Sequence, residues 1–450
     1  MHKKSTLDSF LSPKSVAIIG ASSQEGKFGN QILKNLKNIG YSGKIYPINN
    51  NSKSDILGIP TYKSFDEIPE KPDLVVIVLP PKAAIKVVNE CVQKYKIENI
   101  MIESSFITED NEIYLRKVSC DTGIRIMGSN SIGLINFNDR FSTSIIPVRC
   151  AISDKKDRSF KIGYLAQSGG LAGGCGWWEP YVGIGFSKVV HLGKSCDINE
   201  AEMIEYLVND PKTEVITLYL NKITDRIIEI VKKYSKRKPI IYLEMNKTEK
   251  FSKMKATGAI PAENYQELFD LAKAFIQAPI FNGNNIGIIG PSSGALSLIT
   301  CKLRDFDFQI AENLSDKTKK LLREYVLHAD AKKYNPVDYW PPTRFDGKEV
   351  GEKYKIASEA LLSDPNVDAL ILVLELFKEI EFDVIPTLKG LKEKFPNKPI
   401  VAACVQVEKS VLDRLLIGLG KLDILTYDFY IEKSLKALWA LRKFYNLKNS

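Results

Sequence analysis

Apolar residues in this chain fall into short unbroken runs, separated by stretches in which they recur every three or four positions. Short runs rich in Val and Ile predict strands buried on both faces, and the stretches between them predict amphipathic helices. The first run is Ser15-Val16-Ala17-Ile18-Ile19. Gly20-Ala21-Ser22-Ser23 follows, then Gly26 and Gly29, then the helical positions Ile32, Leu33, Leu36 and Ile39. Strand, glycine-rich turn and helix open a doubly wound parallel sheet. Further strands are predicted at 44–48, 74–79, 99–102 and 124–127, and this unit closes near Gly133.

The same plan recurs twice. Residues 134 to about 160, with Pro147 and the charged stretch Asp154 to Arg158, read as a connector. A second unit starts at the run 161–166, turns at Gln167-Ser168-Gly169-Gly170, and continues with strands at 215–220 and 239–243 and a helix from Tyr265 to Ile276. A third starts at 286–289, turns at Gly290-Pro291-Ser292-Ser293-Gly294, and carries strands at 369–374 and 400–403. The predicted fold is α/β, with domains at 1–135, 136–280 and 281–450. It is a recurring architecture rather than a close sequence repeat.

Length and composition bound the rest. A chain of 450 residues is too long for one ordinary core, and 44% apolar with 26% charged residues is the balance of a globular protein. No apolar run approaches the roughly 18 residues of a membrane span, and no apolar stretch follows the basic N-terminus, so a cytoplasmic protein is expected. Seven scattered cysteines without a Cys-x-x-Cys pair, and three distant histidines (His2, His191, His328), suggest neither a disulfide framework nor a metal site. The net charge of +9 is spread along the chain, with no basic and aromatic stripe for nucleic acid.

A Gly/Ser turn at a helix N-terminus presents unpaired N–H groups to an anion. In the first turn the spacing Gly20, Gly26, Gly29 is not the compact dinucleotide fingerprint. The second strand ends in Asn49-Asn50-Asn51, where a nicotinamide site usually has an acid, so NAD is disfavoured. In the second turn Ser168, Gly169 and Gly170 offer a hydroxyl and converging N–H groups suited to a phosphoryl group. Trp177 and Trp178 read as core packing on the helix that follows. His191, at a strand end, reads as structural rather than as a general base. No Walker motif or nucleophile elbow is present, so any ATP site belongs to another chain.

Along nearly its whole length the chain resembles the α subunit of NDP-forming acetyl-CoA/acyl-CoA synthetases, of the succinyl-CoA synthetase superfamily. The resemblance rests on Phe10 to Ser22, Gly43 to Asn49, Pro80, Ser104-Ser105-Phe106, Gly128 to Gly133, Gln167 to Gly170 and Asn335-Pro336-Val337-Asp338, in that order. It implies a Rossmann-like domain that binds coenzyme A, followed by two flavodoxin-like domains. It further implies contacts to coenzyme A from Gly20, Ser22, Ser23, Gln24, Ser104 and Ser105, and a phosphoryl group held by Ser168, Gly169 and Gly170. ATP or ADP with Mg would enter only through an ATP-grasp partner chain of β type. The substrate would be a small carboxylic acid or acyl phosphate, and the assembly an oligomer.

Two departures from the family stand out. Its phosphorylated histidine falls on Ala256 here, in Lys255-Ala256-Thr257-Gly258, and its glutamate falls on Asn221. Asparagine cannot serve as the ionised partner that orients an imidazole. The catalytic residue is therefore unknown. The expected function is acyl-CoA formation without a phosphohistidine, and the alternative is a catalytically silent coenzyme-A-binding subunit.

Overall fold

The computed structural model describes residues 7–51, 55–105, 107–149, 159–179, 181–245, 249–327, 333–428 and 430–450. Phe106, Cys150, His2, His328 and the charged stretch Asp154 to Arg158 lie outside them. The chain forms two compact units, 1–179 with 185–261, and 180–184 with 262–450.

The first unit holds two large sheets and a two-stranded one, Asp55–Ile56 with Ile59–Pro60. One is parallel and five-stranded: β1 (Ser15–Ile19), β2 (Lys44–Ile48), β3 (Leu74–Ile77), β4 (Asn99–Ile102) and β5 (Arg125–Gly128), in spatial order β2-β1-β3-β4-β5. This is the doubly wound arrangement that the apolar runs predict. Every residue of β1, β3, β4 and β5 is buried, because helices cover both faces. Helix α1 (Phe28–Ile39) turns Ile32, Leu33, Leu36 and Ile39 inward and stops at Gly40, whose left-handed φ of 76° lets its N–H reach Leu36 O. Helices α2 (Pro81–Gln93) and α3 (Glu109–Thr122) complete the layers.

The second sheet has seven strands and includes Gly133–Asn136, Phe141–Ser142, Ser159–Ala166, Ile184–His191, Val215–Leu220 and Ile240–Glu244. The first two occupy what the sequence presents as a connector. Gly133 pairs antiparallel with His191, and Asn136 anchors its side chain on Leu11 O at 2.9 Å. Segments of four and two residues are too short to carry a period, so only their partner strand reveals them. The two large sheets of this unit are tied by Arg125, nearly buried, which bonds Asp197 at 2.9 Å and Glu202 at 2.8 Å.

The second unit contains a six-stranded sheet centred on Asn285–Gly290, Ala369–Leu376 and Ile400–Val407. The helix Tyr265–Gln277, expected within 136–280, packs here instead. Its buried polar residues find their partners in this unit: Lys273 donates to Thr426 O, and Asp270 O accepts from the Tyr427 hydroxyl at 2.6 Å. Its Ala274 joins the core of Ile286, Leu438 and Leu441. No described helix is long and apolar enough to cross a membrane.

Candidate active site

At the C-terminal ends of β1, β3 and β4 lies a cavity of about 900 Å³. Open α/β sheets bind ligands at such a place, and the volume is in the range of small-molecule sites. The first turn forms one wall. Gly20 has φ +97°, and a Cβ there would lie 2.3 Å from Val78 O. A Cβ at Gly29 would lie 2.1 Å from Gly20 O. Both glycines are required for the first helix to cross so close to the strand ends.

Two asparagines brace this turn. Asn30 donates to Ser22 O at 2.8 Å and Asn49 to Ala21 O at 2.7 Å, while the Ser22 hydroxyl accepts from Gln24 N. The first turn of α1 holds no acidic residue, so its N–H groups and positive dipole end are not neutralised locally. Lys27 and Lys63 add positive charge to the wall. Gly20, Ser22, Ser104 and Ser105 all line the cavity, whereas Ser23 and Gln24 are exposed in the turn and stand outside its lining.

The opposite wall is apolar and aromatic. Val87 on α2, Leu79, Phe65 and Tyr95 contribute, the last two with ring centroids 4.5 Å apart. Cys91 also lines it, but burial pushes its thiol up to about 12, so it is no nucleophile at neutral pH. Glu103, directly after β4, is the one acid sealed in the cavity wall among the described residues that line it. The motifs of the sequence do not single it out, although a carboxylate closing Ile100-Met101-Ile102 is itself a signal. Nor do they single out Asn30, a buried polar residue in the first turn of an amphipathic helix.

The second turn is built differently. Gln167 closes it: its Oε1 accepts from the N–H groups of Asn221 at 2.8 Å and Lys222 at 2.9 Å, and its Nε2 donates to Glu200. Asn221, where the resemblance expects an acid, is exposed and directs its amide to Gln167 O at 3.3 Å. Ser168 caps the helix Gly169–Gly174 without a side-chain bond, leaving its hydroxyl out of the cap. The N–H groups of Gly169 and Gly170 occupy positions that have no intrahelical partner. With six residues the helix adds little dipole, so any anion affinity rests on those N–H groups. A Cβ on Gly170 would meet nothing within 4 Å, but one on Gly169 would lie 2.8 Å from Ile132 Cγ2 and 3.4 Å from His191 Cε1.

His191 Nδ1 accepts from Ile132 N at 3.1 Å, and burial pushes the imidazole down to about 4. It is neutral at pH 7 with its proton on Nε2, as a structural histidine should be. Trp177 departs from the expected core packing, whereas Trp178 is half-buried. The helix ends at Gly174, and Trp177, in the following turn, is 53% exposed rather than packed in a core. Ala256 sits exposed just after the helix Glu249–Lys255, its N–H bonded to Ser252 O. A methyl group there offers no nucleophile. Among the described residues no cluster of His, Cys, Asp or Glu has the makings of a metal site.

Comparison with known proteins places this geometry. Residues 14–136 match the CoA binding domain family model, and residues 160–257 match that of the succinyl-CoA ligase like flavodoxin domain. The α subunit of ADP-forming acetate–CoA ligase II from Pyrococcus furiosus is 30% identical over 441 residues, spanning 92% of this chain and 90% of that subunit. The ADP-forming acetate–CoA ligase of Methanocaldococcus jannaschii is 34% identical over 353 residues, and the match covers 72% of this chain but 48% of that longer protein. A crystal structure of a Pyrococcus horikoshii protein superposes with a TM-score of 0.83 at 28% identity, covering 99% of this chain and all of that one.

Proposed function

The chain belongs to the family of the α subunits of ADP-forming acetate–CoA ligases, and from that premise we propose that it binds coenzyme A and takes part in acyl-CoA formation with an ATP-grasp partner chain. The observation that carries this reading is the cavity itself. It opens within the segment matched by the CoA binding domain model, with a braced glycine turn on one side and an apolar, aromatic wall on the other. When bound, coenzyme A supplies the thiol that accepts the acyl group.

The roles of the chain's own residues follow from their placement. The turn from Gly20 to Ser22 and the start of α1 hold phosphate through N–H groups, with Lys27 and Lys63 balancing its charge. Ser104 and Ser105 offer hydroxyls deeper in the cavity. Ser168, Gly169 and Gly170 hold the phosphoryl end of an acyl phosphate, stabilising charge by oriented N–H groups rather than by a covalent phosphoenzyme. Ala256 and Asn221 leave no phosphohistidine device at the family's position. ATP, ADP and Mg are then handled by the partner. That the P. furiosus relative is named a subunit α supports a separate partner chain.

Titration calorimetry of the full chain with coenzyme A tests the binding step, and saturable binding is expected. Absence of any heat or competition, with or without an ATP-grasp partner, would remove the basis of the reading. The catalytic step is tested by Gly170→Asp, where a Cβ fits but a carboxylate meets the phosphoryl charge. Losing one oxyanion donor costs about a hundred- to a thousandfold in rate, and an opposed charge should cost at least as much while coenzyme A affinity stays unchanged. A wild-type chain that binds coenzyme A yet forms no acyl-CoA with its partner from any acid or acyl phosphate would mark it as a silent binding subunit.

A further inference from the structure

In the cavity wall, one carboxyl lacks a hydrogen bond of ordinary geometry among the described residues. Glu103 follows β4 directly, is 3% exposed, and lines the cavity beside Ser104 and Ser105. Both carboxyl oxygens are buried, and among the described residues neither finds a hydrogen-bond partner of ordinary geometry. Its position is fixed by the sheet, since Glu103 N donates to Ile77 O at 3.1 Å and the next residue's carbonyl accepts from Asn130 N at 3.0 Å. Buried polar groups are nearly always paired, so an unpaired pair of oxygens in a ligand-sized cavity calls for a partner outside the protein.

We propose that Glu103 is a recognition residue of the coenzyme site, its carboxyl pairing as donor and acceptor at once with an N–H group and an adjacent acceptor on the bound coenzyme. The inference rests on the reading of this cavity as the coenzyme A site. Burial holds the carboxyl well above the usual carboxylate range, with the Thr143 hydroxyl pulling weakly the other way. The other charged groups of the wall are Lys27 ahead of α1, Lys63 before the Phe65 turn and Glu90 on α2. Burial thus favours the neutral acid, which carries one O–H donor and one carbonyl acceptor side by side.

That pattern selects its ligand group. Phosphate oxygens, which ionise, belong at the N–H groups and lysines of the first turn. An amide, with N–H and C=O on neighbouring atoms, fits a carboxylic acid face to face, and so does the amino edge of adenine. Coenzyme A carries amides along its pantetheine arm and adenine at its other end. Both offer the same chemistry to Glu103, and fragments of the coenzyme separate them.

Calorimetry of the full chain with coenzyme A, comparing wild type, Glu103→Gln and Glu103→Leu, decides the matter. Gln keeps a neutral donor and acceptor and should bind within about threefold of wild type. Leu keeps the volume but neither hydrogen bond, and should bind about ten- to a hundredfold more weakly. Leu removes buried polar atoms that lack a partner, so its thermal midpoint should not fall below that of wild type, which separates lost recognition from lost folding. Titrating pantetheine and ADP separately into wild type and Glu103→Leu identifies the part that is read, as the fragment whose affinity drops. The ratio of wild-type to Glu103→Gln affinity should stay constant from pH 5 to 7, as binding through the neutral acid requires. Leu binding as well as wild type, neither fragment responding, or a ratio that falls within that window would overturn the proposal. Coenzyme A failing to bind wild type would instead overturn the functional reading beneath it.

Discussion

Replacing Gly20 by alanine tests whether the first turn is shaped by steric closeness or only by backbone freedom, and Gly26→Ala is its control. Both glycines have positive φ, +97° at Gly20 and +82° at Gly26. At Gly26 a Cβ would meet nothing within 4 Å, so alanine there costs only the left-handed strain, about 1–2 kcal/mol. At Gly20 the same strain applies, and the new Cβ would also lie 2.3 Å from Val78 O and 3.1 Å from Leu79 Cδ2. Ordinary contact begins near 3.4 Å, so the overlap with a backbone carbonyl is 1.1 Å (3.4 − 2.3). The obstacle is not the far end of a flexible side chain, and relief requires the end of β3 to move. Overpacking of this kind adds about 1–3 kcal/mol. The expected difference between the two variants is therefore about 1–3 kcal/mol of local stability, a large share of what holds a domain folded. Several sheets in one chain do not unfold as one step, so a global unfolding energy is the wrong measure. Hydrogen exchange followed by mass spectrometry on peptides spanning 15–20 and 74–79 reads the local opening directly. Gly20→Ala should lose about five- to a hundredfold more protection there than Gly26→Ala. Because Val78, Leu79 and Pro80 line the cavity, it should also weaken coenzyme A where Gly26→Ala does not. Equal loss of protection in the two variants would refute the steric explanation.

Two further outcomes follow from buried polar contacts. Asn35 on α1 donates to Ser144 O at 2.6 Å and Ile146 O at 2.7 Å and accepts from Val148 N at 2.9 Å, so Asn35→Leu strands three backbone groups. A loss of about 3 kcal/mol or more is expected, read as a lower thermal midpoint, and an unchanged midpoint would show that water replaces the amide. His191, pushed down by burial from its ordinary 6.5 to about 4, binds fewer protons folded than unfolded between those values. Its contribution to stability is complete above pH 6.5 and is lost as pH falls from 6.5 toward 4, by at most about 3 kcal/mol. The stability difference between wild type and His191→Gln should shrink across that window, and a difference independent of pH would mean that His191 is solvated.

Much of this protein was settled by local sequence. The apolar runs at 15–19 and 99–102 are strands at those residues, because a strand buried on both faces reads as a nearly continuous apolar run. Glycine at 20 and 29 marked the tight turn, since only glycine tolerates so close an approach. The expectation that Ala256 and Asn221 stand where the family has a histidine and a glutamate likewise rests on residue identity alone. Tertiary structure decided what depends on partners distant in sequence. Strand 133–136 exists because 188–191 pairs with it, and helix 265–277 joins the last sheet because Thr426 and Tyr427 satisfy its buried polar groups. Only packing shows that Trp177 faces solvent, that Gly169 has no room for a side chain while Gly170 does, and that Ser23 and Gln24 stand outside the cavity while Ser22 lines it. Glu103 makes the same point most sharply. Its sequence position shows a carboxylate after an apolar strand, but burial and missing partners are sums over the whole surroundings, which no window of sequence contains.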